Sequence, residues 1–314
     1  MRSWKIPVSL VLFLAAASGA WAQDADVDEV VAYQAFYQAS QAKDTAKAIE
    51  TAQAYLKKYP NGANADYIKK WLAPTLAQAR GAQFNQALKD GNSAEMVRIG
   101  REQLAEHPDD LSYLISLALN LRKNVLLGSN AKPELEAAAG EFSRKALQLI
   151  QGGAVPPGTD PAKWKKETTL AVLEQNLAIV ADHANRPDEA LQHYEKSLEL
   201  AGGAASLAGY SGFYCGKLRK DKYDAAVAAY QALPEDARGG ADPKPEAKAA
   251  LDAVNEQADA AIDCWAVFVG ATEKNNPFGD ARAPVAEALK ALYASRHPDQ
   301  PEGYQALVAR YVEK

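Results

Sequence analysis

The stretch Asn185–Leu200, NRPDEALQHYEKSLEL, decides how the rest of the chain is read. Asn185 is a cap residue, Pro187 stands at the start of the helical pattern, and Asp188 and Glu189 fall in the first turn. All three favour a helix N-terminus. Ala190 and Tyr194 are four residues apart and Ser197 follows three later, so on a helix they share one face. That face runs small, large aromatic, small. Leu177 and Ala178 lie at the matching offset of the preceding segment. The pattern predicts two antiparallel helices in close approach, with Tyr194 filling the space beside the small residues.

The same grammar extends in both directions. Apolar residues recur at helical spacing in Ala48, Ala52, Tyr55, Leu56 and Tyr59, and again in Leu114, Leu117, Ala118 and Leu121. Asp44-Thr45 and Asn92-Ser93 start helices that Pro60 and Pro108 end, at equal separation, which suggests a repeat. Asp280 to Pro284 opens a late helix that His297-Pro298 closes. Two-residue alternation of β-branched residues is missing, so the reading is about a dozen helices and no sheet. Gly152–Pro161 is a Gly/Pro-rich loop before a helix expected over Ala162–His183. Gly202–Gly209 is read as a flexible connector and Ala237–Pro245 as a hinge. Beyond the hinge, Ile262, Cys264, Trp265, Val267 and Phe268 supply the core of a terminal unit.

These residues resemble the tetratricopeptide repeat, a helix–turn–helix unit of about 34 residues. In its second-helix pattern Ala190 and Tyr194 match, Ser197 stands for the second alanine and Gly202 for the proline. Ala138 with Phe142, and Ala226 with Tyr230 before Pro234, match in part; Ala48 with Pro60, and Ala286 with Pro298, match more weakly. Lys145, Ala52, Tyr55 and Met96 depart from the pattern. Leu114, Leu117, Ala118 and Leu121 fit the first-helix pattern. The resemblance covers most of 29–314 and is continuous over 171–234. It implies an all-α fold, a right-handed α-α superhelix (a TPR-like solenoid) with irregular inserted loops. Residues 23–236 would form the repeats, and 244–314 would continue or cap them. It also implies a non-catalytic scaffold that binds a protein or peptide in a concave groove. The positions the family exposes there fall on Tyr33 and Tyr37, the candidate anchors, on Ser112, Ile115 and Arg122, and on Gln175, Ile179 and Asp182.

Composition limits the alternatives. The 314 residues are 48% hydrophobic and 24% charged, enough for a sizeable core and too apolar for disorder throughout. A formal net charge of −5 argues against a general nucleic-acid partner. Met1–Lys5 gives a short basic start, Ile6–Ala17 is nearly all apolar, and Ala20-Trp21-Ala22 has the small-x-small form of a cleavage site. Residues 1–22 are therefore expected to be a secretory signal cut before Gln23, the mature chain being periplasmic or secreted, with an uncleaved membrane anchor as the alternative. The apolar run is shorter than the roughly 20 residues a transmembrane helix needs, and no second such run follows.

The chemistry-bearing residues are few. Cys215 and Cys264 sit in expected helices of an exported protein; a disulfide and two buried thiols both remain open, and neither has a CxxC partner. His107 and His297 precede prolines at helix ends, where the ring favours the helix dipole. His183 and His193 lack metal-ligand spacing, so no metal site is expected. No P-loop, GxGxxG, HExxH or GxSxG motif occurs, and no cofactor or catalysis is expected. Lys163-Trp164-Lys165-Lys166 reads as a solvated face followed by Glu167. The alternative to a protein-binding scaffold is a periplasmic helical protein that holds a small molecule or an envelope polymer.

Overall fold

The computed structural model describes residues 27–129, 131–202, 204–239, 244–274 and 276–312, and all regular secondary structure in them is helical. The expected secretory segment, 1–22, lies outside the described residues. The chain divides into two compact units, one up to Ala82 and one from Gln83.

The first unit holds α1 (Val27–Gln41), α2 (Thr45–Lys58) and the N-terminal part of α3 (Ala65–Lys89). Its core is Phe36, Ala52, Tyr55, Ala65, Ile68 and Leu72, with the Phe36 and Trp71 rings edge to face at 4.9 Å. The buried Tyr55 hydroxyl donates to the Glu29 carboxylate, which also accepts from the Ala63 N–H at 2.7 Å. One carboxylate thus ties the start of α1 to α2 and to the loop after it.

The second unit holds the rest of α3, α4 (Ser93–Glu106), α5 (Leu111–Leu121), a π-helical turn (Arg122–Leu126) and α6 (Pro133–Gln151). It continues with α7 (Lys166–His183), α8 (Pro187–Leu200), α9 (Ala205–Gln231), the single turn α10 (Glu235–Arg238) and α11 (Pro245–Ala271). It ends in α12 (Arg282–Arg296) and α13 (Gly303–Ala309).

Helix pairs are joined by one recurring device. After α7 the chain turns left-handed at Asn185 (φ 55°), Arg186 N–H reaches back to the Ala181 carbonyl at 2.9 Å, and Pro187 then opens α8. This is a Schellman turn, and asparagine tolerates its left-handed position. Lys43 (φ 57°) and Gly91 (φ 64°) do the same before α2 and α4. There the next residue caps the new helix: Asp44 accepts from Lys47 N–H at 3.0 Å, and Asn92 from Glu95 N–H at 3.2 Å. In the α7–α8 pair, Ala178, Ala190, Tyr194 and Ser197 are all buried, as their shared face predicts.

Three sequence expectations are corrected. Helix α7 begins at Lys166, not Ala162, because Asp160 draws the Ala162 and Trp164 N–H groups into a separate turn at 3.0 and 3.1 Å. Ala226 and Tyr230 are not the second helix of a pair: α9 runs unbroken for 27 residues from Ala205 to Gln231. Gly209 is no part of a flexible connector; it is buried inside α9. The small residues of α9 serve packing. Ideal Cβ atoms placed on Gly209, Gly212 and Gly216 would meet Thr272, the Cys264 carbonyl with Phe268, and the Trp265 ring, in antiparallel register along α11. Cys215 and Cys264 are joined by a disulfide on this seam, their Cα atoms 5.8 Å apart. The expected hinge at Ala237–Pro245 lies partly outside the described residues, at 240–243.

Two stability measurements test the seam. A Cβ on Gly216 would sit 2.1 Å from Trp265 Cδ1, so Gly216→Ala is expected to lower stability by about 1–3 kcal/mol. Gly81→Ala in α3 meets nothing within 4 Å and is expected to be neutral or stabilising in the same thermal melts. Reducing the disulfide, which closes a 49-residue separation, is expected to cost roughly 4 kcal/mol in urea unfolding with and without reductant.

Candidate functional site

The polar centre of the second unit grows from one irregularity in an apolar helix. In α7 the run Leu170–Ile179 is interrupted by Glu174, Gln175 and Asn176, and all three are buried. A buried polar side chain is held only where its donors and acceptors are met. Gln175 Nε2 donates to Ser211 Oγ at 2.6 Å and to the Leu207 carbonyl at 3.1 Å, both in α9. Asn176 Nδ2 donates to Ser143 Oγ of α6 at 3.1 Å and to the Ala118 carbonyl of α5 at 3.2 Å. Ser211 Oγ donates in turn to Ser197 Oγ of α8 at 2.9 Å. Glu174 meets His193 Nδ1 of α8 at 2.6 Å.

With their N–H groups so engaged, both amides turn their oxygens to Arg122. Its guanidinium donates to Gln175 Oε1, and to Asn176 Oδ1 at 3.4 Å. Arg122 opens the π-helical turn that continues α5, closed by the Leu127 N–H bond to the Arg122 carbonyl at 2.9 Å. Such turns are rare and occur often at functional sites. The guanidinium lies 5.7 Å from the centre of the Tyr210 ring, within reach of cation–π attraction. Tyr194 stacks on Tyr214 at 5.6 Å, and the Tyr210 and Tyr214 rings are 4.7 Å apart.

Burial pushes the Arg122 guanidinium below its ordinary pKa, opposed by its interactions with Tyr210 and Tyr194. Burial also pushes the Tyr194 and Tyr210 hydroxyls far above theirs, and the negative charge of Asp182 adds to both shifts. The two hydroxyls therefore stay protonated, and able to donate, throughout the physiological range. Arg122, Asp182, Tyr210 and Tyr214 are partly exposed, whereas Gln175, Asn176, Ser143 and Ser211 are sealed inside. The network thus has a solvent-facing side made of one cation, one anion and two aromatic rings.

The expected groove residues belong to two different units. Tyr33 and Tyr37 lie on α1 of the first unit, their rings stacked at 6.2 Å, with Tyr37 exposed. Ser112, Ile115, Arg122, Gln175, Ile179 and Asp182 belong to the second unit. Ser112 is exposed and Ile115 packs partly against the core. Gln175 and Ile179 are not groove-lining: both are buried, one as a bridge to α9 and the other in the core. The sequence reading missed Asn176, Ser143, Ser211, Tyr210 and Tyr214. The visible signal for the first was the three polar residues set inside an apolar helical run. Nothing local marked the serines, which matter only for what they face across the interface.

Compared with family models and with curated proteins, the chain matches none.

Truncating Asn176 strands Ser143 and a carbonyl in a dry interior. Asn176→Leu is expected to destabilise the protein by about 1–3 kcal/mol, and Ser143→Ala, which leaves one buried Asn176 N–H unmet, by an amount in the same range, in urea unfolding at neutral pH.

Proposed function

We propose that the chain is an exported, non-catalytic helical scaffold of tetratricopeptide-like build that associates with a protein or peptide partner. The solenoid part of this reading is supported by the α7–α8 pair. There Ala178 and Ala190 are fully buried, and Tyr194 and Ser197 occupy the same packed face. The association part rests on one observation, a set of exposed apolar side chains on the first unit. Val27 is 75% exposed, Val31 59% and Tyr37 46% along α1, and Tyr67 of α3 is 53% exposed nearby in the same unit. Scattered surface apolar residues are ordinary, but Val30, 43% exposed, and Tyr37 stand seven residues apart on one face of α1 beside a stacked tyrosine pair, which suits a docking face. Export accords with the secretory pattern of 1–22.

The second reading, a binder of a small molecule or envelope polymer, draws on a cavity of about 430 Å³ among α11, α12 and α13. It is lined by Asp259, Asp263, Tyr293, His297 and Arg310. Burial, and then the charge of Asp259, push the Asp263 carboxyl above its ordinary pKa, with Arg310 opposing. A perturbed acid in a cavity is the usual mark of a small-ligand site.

Affinity capture from a periplasmic extract separates the two readings. The double variant Val30→Ser, Tyr37→Ala changes exposed positions of one face and is expected to leave the thermal melt nearly unchanged. A partner recovered by the native chain and lost by the variant supports the α1 face. Equal recovery by both removes that face from the account.

A further inference from the structure

We propose that Arg122, with Tyr194, Tyr210 and Tyr214 around it, is a binding site for the carboxylate of a small monoanionic ligand that carries an aromatic ring. The site lies wholly in the second unit, and the inference stands apart from the α1 docking face.

The first argument is charge. Arg98, Arg101, Arg186, Arg219, Arg282 and Arg296 each pair with a carboxylate. Arg122 is held only by the two neutral amide oxygens and the face of Tyr210, and no carboxylate of the described residues is paired with it. A desolvated guanidinium that keeps its charge needs an opposite charge to offset the loss of water, and neutral acceptors supply only part of that. A bound anion supplies the remainder.

The second argument is preorganisation. Arg122 has five N–H donors, and the two amide oxygens engage only some of them. Those oxygens are themselves fixed, because the amide nitrogens of Gln175 and Asn176 are committed to α9, α6 and α5. The remaining guanidinium donors are therefore held in place before any ligand arrives, which lowers the ordering cost of binding. Burial keeps the Tyr194 and Tyr210 hydroxyls protonated, so they add no negative charge beside the guanidinium.

The third argument selects the ligand. The partly exposed rings of Tyr210 and Tyr214, 4.7 Å apart, offer faces and edges to a third ring. Asp182, whose negative charge reaches Tyr194 and Tyr210, sets a limit on the ligand's own charge. Arg122 brings one positive charge, and Asp182 brings a negative charge that reaches the tyrosines around it, so the site suits a monoanion and disfavours a phosphate dianion.

Titration calorimetry on the full chain, with benzoate and inorganic phosphate as probes, tests this. Benzoate is expected to bind with Kd on the order of 1 mM, as its few non-hydrogen atoms allow, and phosphate not measurably. Arg122→Lys keeps the charge but loses the planar fork and is expected to weaken benzoate about tenfold or more. Asp182→Asn removes the opposing charge and is expected to tighten benzoate several-fold, a gain that a purely structural role for this centre would not produce. If Arg122→Lys fails to fold, Asp182→Asn decides alone. Absence of benzoate binding to the native chain at about 10 mM would overturn the inference. So would phosphate binding as tightly as benzoate, or an Asp182→Asn variant that binds benzoate no better.

Discussion

Two amide side chains set side by side in α7 hold the second unit in register. Gln175 and Asn176 face different neighbours, and between them they reach α5, α6 and α9, with α8 joined through Ser211 and Ser197. Apolar packing alone tolerates a helix sliding or rotating by a fraction of a turn, since greasy surfaces of similar volume replace one another at small cost. A buried amide does not, because each displaced donor loses its bond in a medium that offers no water in exchange. The core around this seam is apolar and dense, with Leu117, Ala118, Phe142, Leu173 and Tyr194 buried against one another. The seam supplies direction to an attraction that has none of its own.

The same constraint fixes Arg122. Its two acceptors are oriented by bonds they make on their far sides, so the guanidinium is placed by α5, α6, α7 and α9 together. The π-helical turn begins at this same residue: the Leu127 N–H closes on the Arg122 carbonyl where α5 gives way. The outcome is a cation fixed at the border between a dry interior and solvent, faced by tyrosines that cannot ionise near neutrality.

Farther along the chain, small residues do the organising. Helices α9 and α11 approach closely enough that Gly212 lies against the backbone at Cys264 and Phe268, and Gly216 against the Trp265 ring. This seam was half visible in the sequence. Gly202–Gly209 was conspicuous, yet glycine favours both loose connectors and tight helix contacts, and only the partner helix tells them apart. The helical class, the caps at Asp44 and Asn92 and the packed face of Ala190, Tyr194 and Ser197 were legible, because each is local. Asn185 reads as a cap, but it takes the left-handed position that ends α7, and Arg186 precedes α8 with no side-chain cap bond. The length of α9 was not: Ala226 and Tyr230 carry a second-helix pattern, but Asp221-Lys222 does not break a helix, and α9 continues through it to pack on α11. The candidate site was legible only as Arg122, Gln175 and Asp182 taken one by one. The serines and tyrosines that complete it lie 33 to 36 residues away from the amides or on another helix, and nothing in their neighbours announces the encounter.

Native-state hydrogen exchange on the disulfide-intact chain tests most directly whether the α7 seam holds the second unit together. The account predicts that the amides of Leu173–Ile179 exchange slowest of all. It also predicts that α5, α6, α8 and the first half of α9 share their opening free energy, moving as one cooperative body. Amides of α7 exchanging as fast as those of α13, or α5 and α6 opening while α7 stays closed, would contradict it.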